Sequence, residues 1–318
     1  MKIRFWGTRG SIPVSLTTQD IRHKLVATLQ AADGRAFADR AEMDRFIASL
    51  GFDISGTFGG HSSCVQLITD RPEHFILDLG SGARALGQQM LAHHGADKPQ
   101  TYHVFLSHLH WDHIMGLPFF TPAYIPGNRV IIHSGHENAE YALRRQQEQP
   151  SFPVDFSYFG AAMEFVVHSP GVPQVVAGMT VDIMKQRHGG DSYGWRFGYQ
   201  GSRVVYSTDS EHRVDDLAER ESFVEFFQDA DLVVFDAMYS LTEAISVKAD
   251  WGHSSNLVAV EMCHAAQVRR LFLFHHEPSH SDAQIEQILR ESRRYEEIAR
   301  DGHPLEVHAA WDGLEVSV

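Results

Sequence analysis

The sequence predicts an α/β fold. Short apolar runs of the kind found in buried strands, such as residues 129–133 and 270–274, alternate along the chain with segments of helical spacing, such as residues 256–266 and 282–300. Several predicted strands end in polar or glycine-rich loops that carry histidine and aspartate. The chain has 318 residues, which is enough for a substantial core, and its apolar and charged fractions are those of an ordinary globular protein.

Each predicted element rests on the spacing of its apolar residues and on the turn residues that bound it. Strands are predicted at residues 2–7, 64–69, 74–79, 129–133, 162–168, 179–187, 195–199, 203–207, 231–235 and 270–274, in a run that begins at Tyr102, and as a final strand pair within residues 305–318. Helices are predicted at residues 83–93, 136–147, 256–266 and 282–300. Residues 16–50 also carry helical spacing, and Asp33-Gly34 divides them into two helices.

Four residues with metal-binding side chains lie close together after the strand that begins at Tyr102: His108, His110, Asp112 and His113. Side chains two residues apart on an extended chain point the same way, so His108 and His110 can bind one cation from the same side. The chain must then turn, and Asp112 and His113 can face a second cation beside the first. Imidazole and carboxylate suit zinc, manganese or iron, and clustered histidine and aspartate are typical of metal or catalytic sites.

Composition argues against several classes of function. The net charge is −14, from 27 basic and 41 acidic residues, which argues against broad nucleic-acid binding because that binding depends on lysine and arginine. The net charge does not exclude small anionic substrates, since bound metals are the dominant local charges in such a site. No apolar run is long enough to cross a membrane, and the first residues lack the apolar core of a secretory signal. With two distant cysteines, Cys64 and Cys263, a reduced cytoplasmic location is the default expectation.

The cluster after Tyr102, SHLHWDH, resembles the signature of the metallo-β-lactamase fold, a superfamily of mostly binuclear metallohydrolases. Together with KIRFWGTRGSIPVS, GGHSSCVQL, LDLGSG, STDSEH, FDAMYS, WGHSS and FHHEP, it resembles the branch that includes cyclic-phosphate phosphodiesterases and, more distantly, tRNA-processing RNase Z. The resemblance covers nearly the whole chain except about residues 16–57. It implies a single domain over residues 1–318 with the four-layer αββα sandwich of the metallo-β-lactamase type.

The helical pair lies outside this resemblance, because related sequences pass quickly from the equivalent of Pro13 to the Gly59-Gly60 loop. The pair is therefore predicted to be an N-terminal helical insertion at about residues 17–52. One interpretation is that the pair is a packing appendage or forms the contact of a homodimer. The other is that the pair forms a lid over the site. The residues favour the first interpretation, since none of them is distinctively chemical.

The resemblance implies two divalent metal ions, with zinc the first expectation and manganese or iron the alternatives. The first ion would be bound by His108, His110, His188 and Asp209, and the second by Asp112, His113, His275 and the same Asp209. His188 ends an alternating run and precedes two glycines, and Asp209 follows a buried strand, where an unpaired carboxylate would be costly. His276 is the rival of His275, because adjacent residues on a strand face opposite ways.

The predicted chemistry is phosphodiester hydrolysis through a metal-bridging hydroxide, with Asp112 and His253 as catalytic residues. The cations would lower the pKa of a water between them, and the hydroxide would attack phosphorus in line with the leaving oxygen. His253 and His275 lie 22 residues apart, similar to the RNase Z pattern, in which the earlier histidine serves the leaving group. His253 would donate a proton to the leaving alkoxide; its alternative role is to brace Asp236 or a ligand carboxylate.

Six further residues are predicted to lie around the metals. Arg9, His61 and His212 are candidates for binding substrate, and Asp78, Asp236 and His276 for supporting the ligands from behind. The first three have alternatives: Arg9 as a solvated loop charge or as a brace for a ligand, His61 as a surface histidine where relatives usually carry asparagine, and His212 as a helix cap.

Other functions are open on the same scaffold. A thioester or lactone hydrolase could use the same metals with a different entrance to the site. An RNase Z-like nuclease would need a basic arm for tRNA, and the sequence shows none. A nucleotide-binding sensor or regulatory protein is an alternative of another class, which the complete ligand set argues against. The expected partner is therefore a small anionic substrate, with neither nucleic acid nor a membrane.

Overall fold

The computed structural model describes residues 1–212, 217–239, 253–300 and 302–318, and its centre is a pair of seven-stranded sheets. The strands are β1 (Lys2–Gly7), β2 (Cys64–Ile68), β3 (His74–Leu77), β4 (Thr101–Leu106), β5 (Arg129–Ser134), β6 (Ala162–Val167), β7 (Gln174–Val176), β8 (Met179–Gln186), β9 (Ser192–Tyr199), β10 (Ser202–Ser207), β11 (Leu232–Asp236), β12 (Arg270–Phe274), β13 (Glu306–Ala309) and β14 (Glu315–Ser317). The helices are α1 (Thr18–Ala32), α2 (Arg40–Ala48), α3 (Phe52–Ser55), α4 (Ala83–His94), α5 (Trp111–Ile114), α6 (Ala139–Arg145), α7 (Leu217–Phe227), α8 (Asn256–Ala265) and α9 (Asp282–Ala299).

The two sheets share one plan. The first has the strand order β14-β1-β2-β3-β4-β5-β6, and the second has the order β13-β12-β11-β10-β9-β8-β7. Strands β3 to β6 run parallel to one another in the first sheet, as do β10 to β13 in the second, and antiparallel strands complete each sheet. Because parallel strands end at one edge of a sheet, each sheet presents a row of loops along that edge.

Apolar side chains cover both faces of each sheet. In β4, Phe105 packs in the cluster between the two sheets, whereas its neighbours Val104 and Leu106 pack with α4 on the outer face. In β10, Tyr206 belongs to the cluster between the sheets, and Val205 packs with α7, α8 and α9. This period-two alternation builds layers of helix, sheet, sheet and helix. The predicted α/β class and the four-layer αββα sandwich are therefore confirmed.

The two helices predicted within residues 16–50 are present as α1 and α2. Thr17 caps α1 in a capping box with Asp20, and Asp33 ends the helix with a left-handed φ of 42°. Asp39 caps α2 with its side chain. The short helix α3 follows before the chain enters β2.

The last part of the chain differs from the prediction. The final strand pair predicted within residues 305–318 is wrong as a pair, because β13 pairs with β12 in the second sheet and β14 pairs with β1 in the first. A turn at Gly313, with a φ of 97°, lies where the chain crosses from one sheet to the other. Strand β7 is not predicted from the sequence, since three residues at a sheet edge give little apolar signal.

No helix in the described part of the chain combines the length and the apolar character that crossing a bilayer requires. The 18-residue helix α9 carries many charged side chains. Of the sequence motifs quoted above, Ser240, Trp251 and Gly252 lie outside the described residues.

Candidate metal centre

The predicted metal ligands lie at or just beyond the ends of strands. His108 follows β4 by two residues, Asp209 follows β10 by two, His188 follows β8 by two, and His275 comes directly after β12. Strand β4 belongs to the first sheet and the other three strands to the second, so the loops of both sheets meet here. The remaining predicted ligands lie beside or within the short helix α5: His110, Asp112 and His113.

Three strands near the ligands, β3, β10 and β12, are followed by turns at residues with a left-handed backbone. Asp78, Asp209 and His275 have φ values of 57°, 51° and 61°, a region that non-glycine residues uncommonly adopt. Such strain persists where the surrounding structure holds it, and it is concentrated at functional sites. Here each turn carries the chain out of its strand and leaves the side chain in contact with the ligand groups.

Three histidines form the first candidate metal group. The ligand nitrogens of His108, His110 and His188 lie within 4.8 Å of one another. His188 Nε2 is 3.0 Å from His110 Nδ1, and the ring centroids of His108 and His188 are 4.9 Å apart. Three converging imidazoles are a ligand set typical of zinc. The structure thus brings together the three histidines predicted for the first metal.

A carboxylate and two histidines form the second group. The ligand atoms of Asp112, His113 and His275 also lie within 4.8 Å of one another. The Nε2 atoms of His113 and His275 are 3.3 Å apart, and each is 3.2 Å from Asp112 Oδ2. All three side chains are buried. They are the three residues predicted for the second metal besides Asp209.

Asp209 lies between the two groups with one oxygen towards each. Its Oδ1 atom is 3.7 Å from Nε2 of both His108 and His188. Its Oδ2 atom is 3.1 Å from His113 Nε2 and 3.3 Å from His275 Nε2. A carboxylate in this position can bridge two cations, which is the role predicted for Asp209.

The chemistry of the ligand atoms fits bound cations. His108 Nε2 is buried and has no hydrogen-bond partner among the described residues. Burial opposes ionisation of Asp112 and Asp209, but the surrounding histidines hold the pKa of each carboxyl well below its usual value. Burial also opposes protonation of His113, yet Asp209, Asp112 and Asp78 raise its pKa well above the usual value. Buried carboxylates and imidazole nitrogens gathered in this way are ligand types that suit zinc, manganese or iron.

Residues 75–276, which include all seven predicted ligands, match the beta-lactamase superfamily domain. The match covers 202 of the 318 residues. The chain belongs to this superfamily. The predicted resemblance to the metallo-β-lactamase fold is therefore confirmed.

Individual relatives agree with this assignment. Ribonuclease Z of Crocosphaera subtropica is 24% identical over 284 residues, covering 73% of this chain and 86% of the relative. The metallo-β-lactamase fold protein YhfI of Bacillus subtilis is 18% identical with a TM-score of 0.64, covering 99% of both chains. A diphosphatase of the PhnP family is 18% identical with a TM-score of 0.60, covering 100% of this chain and 97% of its own. Zinc-bound PqqB of Methylobacterium extorquens is 14% identical with a TM-score of 0.59, covering 100% of both chains.

In this member of the superfamily a buried carboxylate holds His113 from behind. Asp78 Oδ2 is 2.8 Å from His113 Nδ1, and it accepts a hydrogen bond of 2.8 Å from the Tyr206 hydroxyl. The Ser107 N–H and hydroxyl also donate to Asp78, each at 2.7 Å. These contacts orient the His113 ring so that Nε2 faces the other ligands. Asp78 is predicted from the sequence, whereas Ser107 and Tyr206 are not; the one available signal is that a buried tyrosine hydroxyl needs a partner.

His253 lies beside both ligand groups and is paired with Asp236. Its Nδ1 atom is 2.8 Å from Asp236 Oδ2, and its ring stacks on that of His275 with centroids 5.1 Å apart. Burial opposes protonation of His253, but Asp236 and then Asp209 outweigh it and raise its pKa to about 9. Two backbone N–H groups also donate to Asp236, which fixes the carboxylate. An oriented imidazole beside a metal centre can act as a general acid when it carries a proton.

The adjacent histidines His275 and His276 face different surroundings. His276 Nε2 is 2.8 Å from the Ala310 carbonyl oxygen, and its ring packs edge-on against Phe58. Burial lowers the pKa of His276 to about 3, so the ring is a neutral donor to that carbonyl. His275 lies in the second ligand group, whereas His276 binds the loop that contains Ala310.

Gly10 lies against the ring of His275. A Cβ atom added at Gly10 would be 2.5 Å from both Cε1 and Nδ1 of that ring. The Gly10 N–H donates to the His276 carbonyl oxygen at 3.0 Å, and the His276 N–H donates to the Thr8 carbonyl oxygen at 2.9 Å. Gly10 therefore forms one wall of the space that His275 occupies. It is not predicted from the sequence, where it has the character of an ordinary turn glycine.

Arg9 is buried and bound to backbone carbonyls. Its Nε donates to the Gly59 oxygen at 2.9 Å, and its Nη1 donates to the oxygens of Glu277 and His280 at 3.1 and 2.9 Å. The guanidinium thus braces the loop that follows His276, and Arg9 is buried instead of being a solvated loop charge. Substrate binding by Arg9 stays a prediction that these contacts do not support.

The other two substrate-binding candidates differ in exposure. The His212 ring packs against Phe223 and Phe235, with centroids 4.2 and 5.2 Å away, and burial lowers its pKa to about 3. A neutral ring on two phenylalanines offers no charge to a phosphate, so its contacts do not support the prediction either. His61 is exposed, with Nδ1 3.2 Å from the Ser81 hydroxyl, and its predicted role stays a prediction.

A row of three buried histidines lies on neighbouring strands and is not predicted from the sequence. His103 Nδ1 is 3.0 Å from His133 Nε2, and His133 Nδ1 is 2.9 Å from His168 Nε2. The His133 ring also stacks on Phe105 with centroids 4.5 Å apart. Burial, and then the two neighbouring histidines, lower the pKa of His133 to about 3. The row is therefore a neutral hydrogen-bonded chain at ordinary pH.

Proposed function

We propose that this chain is a binuclear metal-dependent hydrolase that cleaves a small phosphodiester, a class that includes cyclic phosphodiesters. The proposal rests first on Asp209, whose two oxygens face two separate groups of ligand atoms. A carboxylate shared between two groups suits a pair of adjacent cations. Membership of the superfamily supports hydrolysis as the reaction class.

The two ions would be zinc, with manganese or iron as alternatives that the same ligand types accept. Zinc comes first because three histidines suit it, and because one structural relative is described as zinc-bound. The proposed ligands of the first ion are His108, His110, His188 and Asp209, and those of the second are Asp112, His113, His275 and Asp209. When bound, such a pair lowers the pKa of a water between the ions and neutralises charge on phosphoryl oxygens.

His253 would supply the proton for the leaving group. Asp236 holds Nδ1 of His253, so Nε2 is the nitrogen that would donate. As the water oxygen bonds to phosphorus, the bond to the leaving oxygen breaks, and that oxygen takes the proton from His253. Asp236 favours the protonated ring before the transfer, and general-acid help of this kind contributes about 100- to 10,000-fold to the rate.

The choice of a phosphodiester rests on the relatives and on the charge of the chain. One relative is named ribonuclease Z and another diphosphatase, and both names denote cleavage at phosphorus. The net charge of −14 favours a small diester over a long nucleic acid, whose binding depends on basic side chains.

The substrate class is tested with the full chain loaded with zinc or manganese. Bis-p-nitrophenyl phosphate, cyclic nucleotides, precursor tRNA, a lactone and a thioester would be assayed in parallel. We expect hydrolysis of the first two substrates to exceed that of the others. Turnover of only the lactone or thioester would contradict the phosphodiester proposal, preferential cleavage of precursor tRNA would identify a nuclease, and two bound ions without any hydrolysis would favour a sensor.

The acid role is tested with His253→Ala and Asp236→Asn. His253 lies within 4.8 Å of ligand atoms in both groups, so metal content must be measured together with turnover. We expect His253→Ala to retain two ions per chain and to lose about 100- to 10,000-fold in kcat. Asp236→Asn should lower kcat in the wild type and have little further effect in His253→Ala, because it acts through that histidine. A parallel loss of metal would show that His253 is a ligand or a structural residue.

A further inference from the structure

Helix α1 presents its apolar residues to solvent, and two apolar residues of α2 are also exposed. Every residue of α1 is at least partly exposed. Residues four apart lie on one face of a helix, so Ile21, Leu25 and Leu29 form a stripe. The exposed fractions are 44% for Ile21, 59% for Leu25, 44% for Val26, 73% for Leu29 and, in α2, 43% for Met43 and 40% for Ile47.

The side of α1 that attaches the helix to its own chain is polar. Lys24 Nζ is 2.7 Å from Asp282 Oδ2, and it donates to the carbonyl oxygens of Asp53 and, at 2.8 Å, of Gly56. A cavity of about 320 Å³ lies between this side of α1 and the residues around the start of α9. An ordinary surface helix buries its apolar face and exposes its polar face. Helix α1 instead exposes its apolar stripe beside polar residues such as Arg22 and His23, while its attached side is polar, so the stripe is available to a surface outside its own fold.

We propose that the apolar stripe of α1 is the contact with a second copy of this chain. Residues 17–52 contain five acidic and five basic residues and so have no net charge, while the whole chain has a net charge of −14. The negative charge that makes two copies repel each other therefore lies outside this segment, and the segment itself adds no repulsion. In a twofold contact the α1 stripe of one copy meets the same stripe of the other copy.

A membrane surface is the alternative occupant, and charge disfavours it. Helices that lie on membranes carry lysine and arginine on their polar face, where these residues meet anionic lipids. In α1 the lysine of the polar face, Lys24, is bound to Asp282. The segment has no positive excess, and a chain with a net charge of −14 is repelled by anionic lipid.

Sedimentation velocity of the full, metal-loaded chain tests the proposal. The wild type should sediment as a dimer of the 35.8 kDa chain, with dissociation on dilution. Leu25→Glu/Leu29→Glu should be monomeric at the same concentrations, because the dimer would bury two unpaired carboxylates per copy. Val175→Glu is the matched control: Val175 is 74% exposed on the edge strand β7, and this variant should remain dimeric. Metal content and the melting temperature should be equal in all three proteins.

A second measurement tests the register of the contact. Leu29→Cys should form a disulfide between copies on mild oxidation, and the native thiols do not interfere because Cys64 and Cys263 are buried. A wild type that is monomeric at every concentration, or a Leu25→Glu/Leu29→Glu protein that stays dimeric, would overturn the proposal. Pelleting of the wild type with phosphatidylcholine–phosphatidylserine vesicles, lost in the double variant, would also overturn it and assign the face to a membrane.

Discussion

Replacement of Gly10 by alanine tests how His275 is held in place. The added Cβ atom would be 2.5 Å from Cε1 and Nδ1 of the His275 ring. Non-bonded carbon atoms are comfortable at about 3.5 Å or more, so the ring must retreat by about 1 Å. Metal–ligand distances tolerate about 0.2 Å, which is several times less than this displacement. Gly10 has no left-handed φ, so the alanine backbone itself is not strained.

The expected result is selective loss of the second metal ion. The first group is formed by three other histidines, and the three atoms nearest the added Cβ all belong to His275, so the first group should keep its ion. We expect the affinity for the second ion to fall by at least about 10- to 100-fold, the range seen when the support of a ligand is disturbed. Elemental analysis after dialysis should give one ion per chain, and calorimetric titration should give the affinity. Gly198→Ala is the control, since its Cβ would lie 3.6 Å from Thr180 Cβ, an ordinary contact.

Two outcomes would refute this reasoning. One is a Gly10→Ala protein that binds two ions with unchanged affinity. The other is loss of both ions together with a lowered melting temperature, which would indicate general damage. In a His275→Ala background the effect of Gly10→Ala on metal binding should disappear, because the ring that it displaces is gone. A wild type that binds one ion at saturation would instead contradict the binuclear centre itself.

Asp78→Asn should lower the affinity for the second ion by about 10- to 100-fold, because His113 loses the carboxylate that orients it; calorimetric titration measures this, and unchanged affinity would contradict it. His276→Ala should keep both ions while His275→Ala loses one, as elemental analysis would show, and the opposite pattern would exchange their roles. Acid should destabilise the fold through His133: its folded pKa of about 3 lies below the ~6.5 of an unfolded histidine, so between these values the unfolded state binds more protons and the free energy of unfolding falls as pH falls. Denaturant unfolding in chelator from about pH 7 to about pH 4 should show a smaller loss for His133→Gln than for the wild type, and equal losses would exclude this contribution.

The layers of the fold could be predicted because their signals are local. The alternation in β4, for example, puts Phe105 on one face and its two neighbours on the other, and this pattern is visible in consecutive residues. The first four ligand-type residues are equally compact, since they lie within six positions of the sequence. His188, Asp209 and His275 required the family resemblance, because one polar residue after an apolar strand is not diagnostic.

The contacts that hold the ligands could not be predicted in the same way. Gly10 meets His275 from the opposite end of the chain, and a residue without a side chain carries no signal of what packs on it. Arg9 binds three backbone carbonyls, and backbone acceptors are the same for every residue type. The predicted pairing of the two final strands was wrong for a related reason. β13 and β14 look alike in sequence but belong to different sheets.

Each ligand group takes residues from both sheets, so the distance between the sheets limits how far apart the ligands of one group can lie. His113 follows a strand of the first sheet, and Asp209 follows one of the second. Aromatic rings fill that gap, with the centroids of Phe105 and Trp195 5.2 Å apart in an edge-to-face contact. A smaller side chain at Trp195 would let the two sheets move closer together. The distances between the ligand atoms would then change although no ligand is replaced. The interior rings thus act as a spacer that sets, within each group, the distance between ligands from the first sheet and ligands from the second.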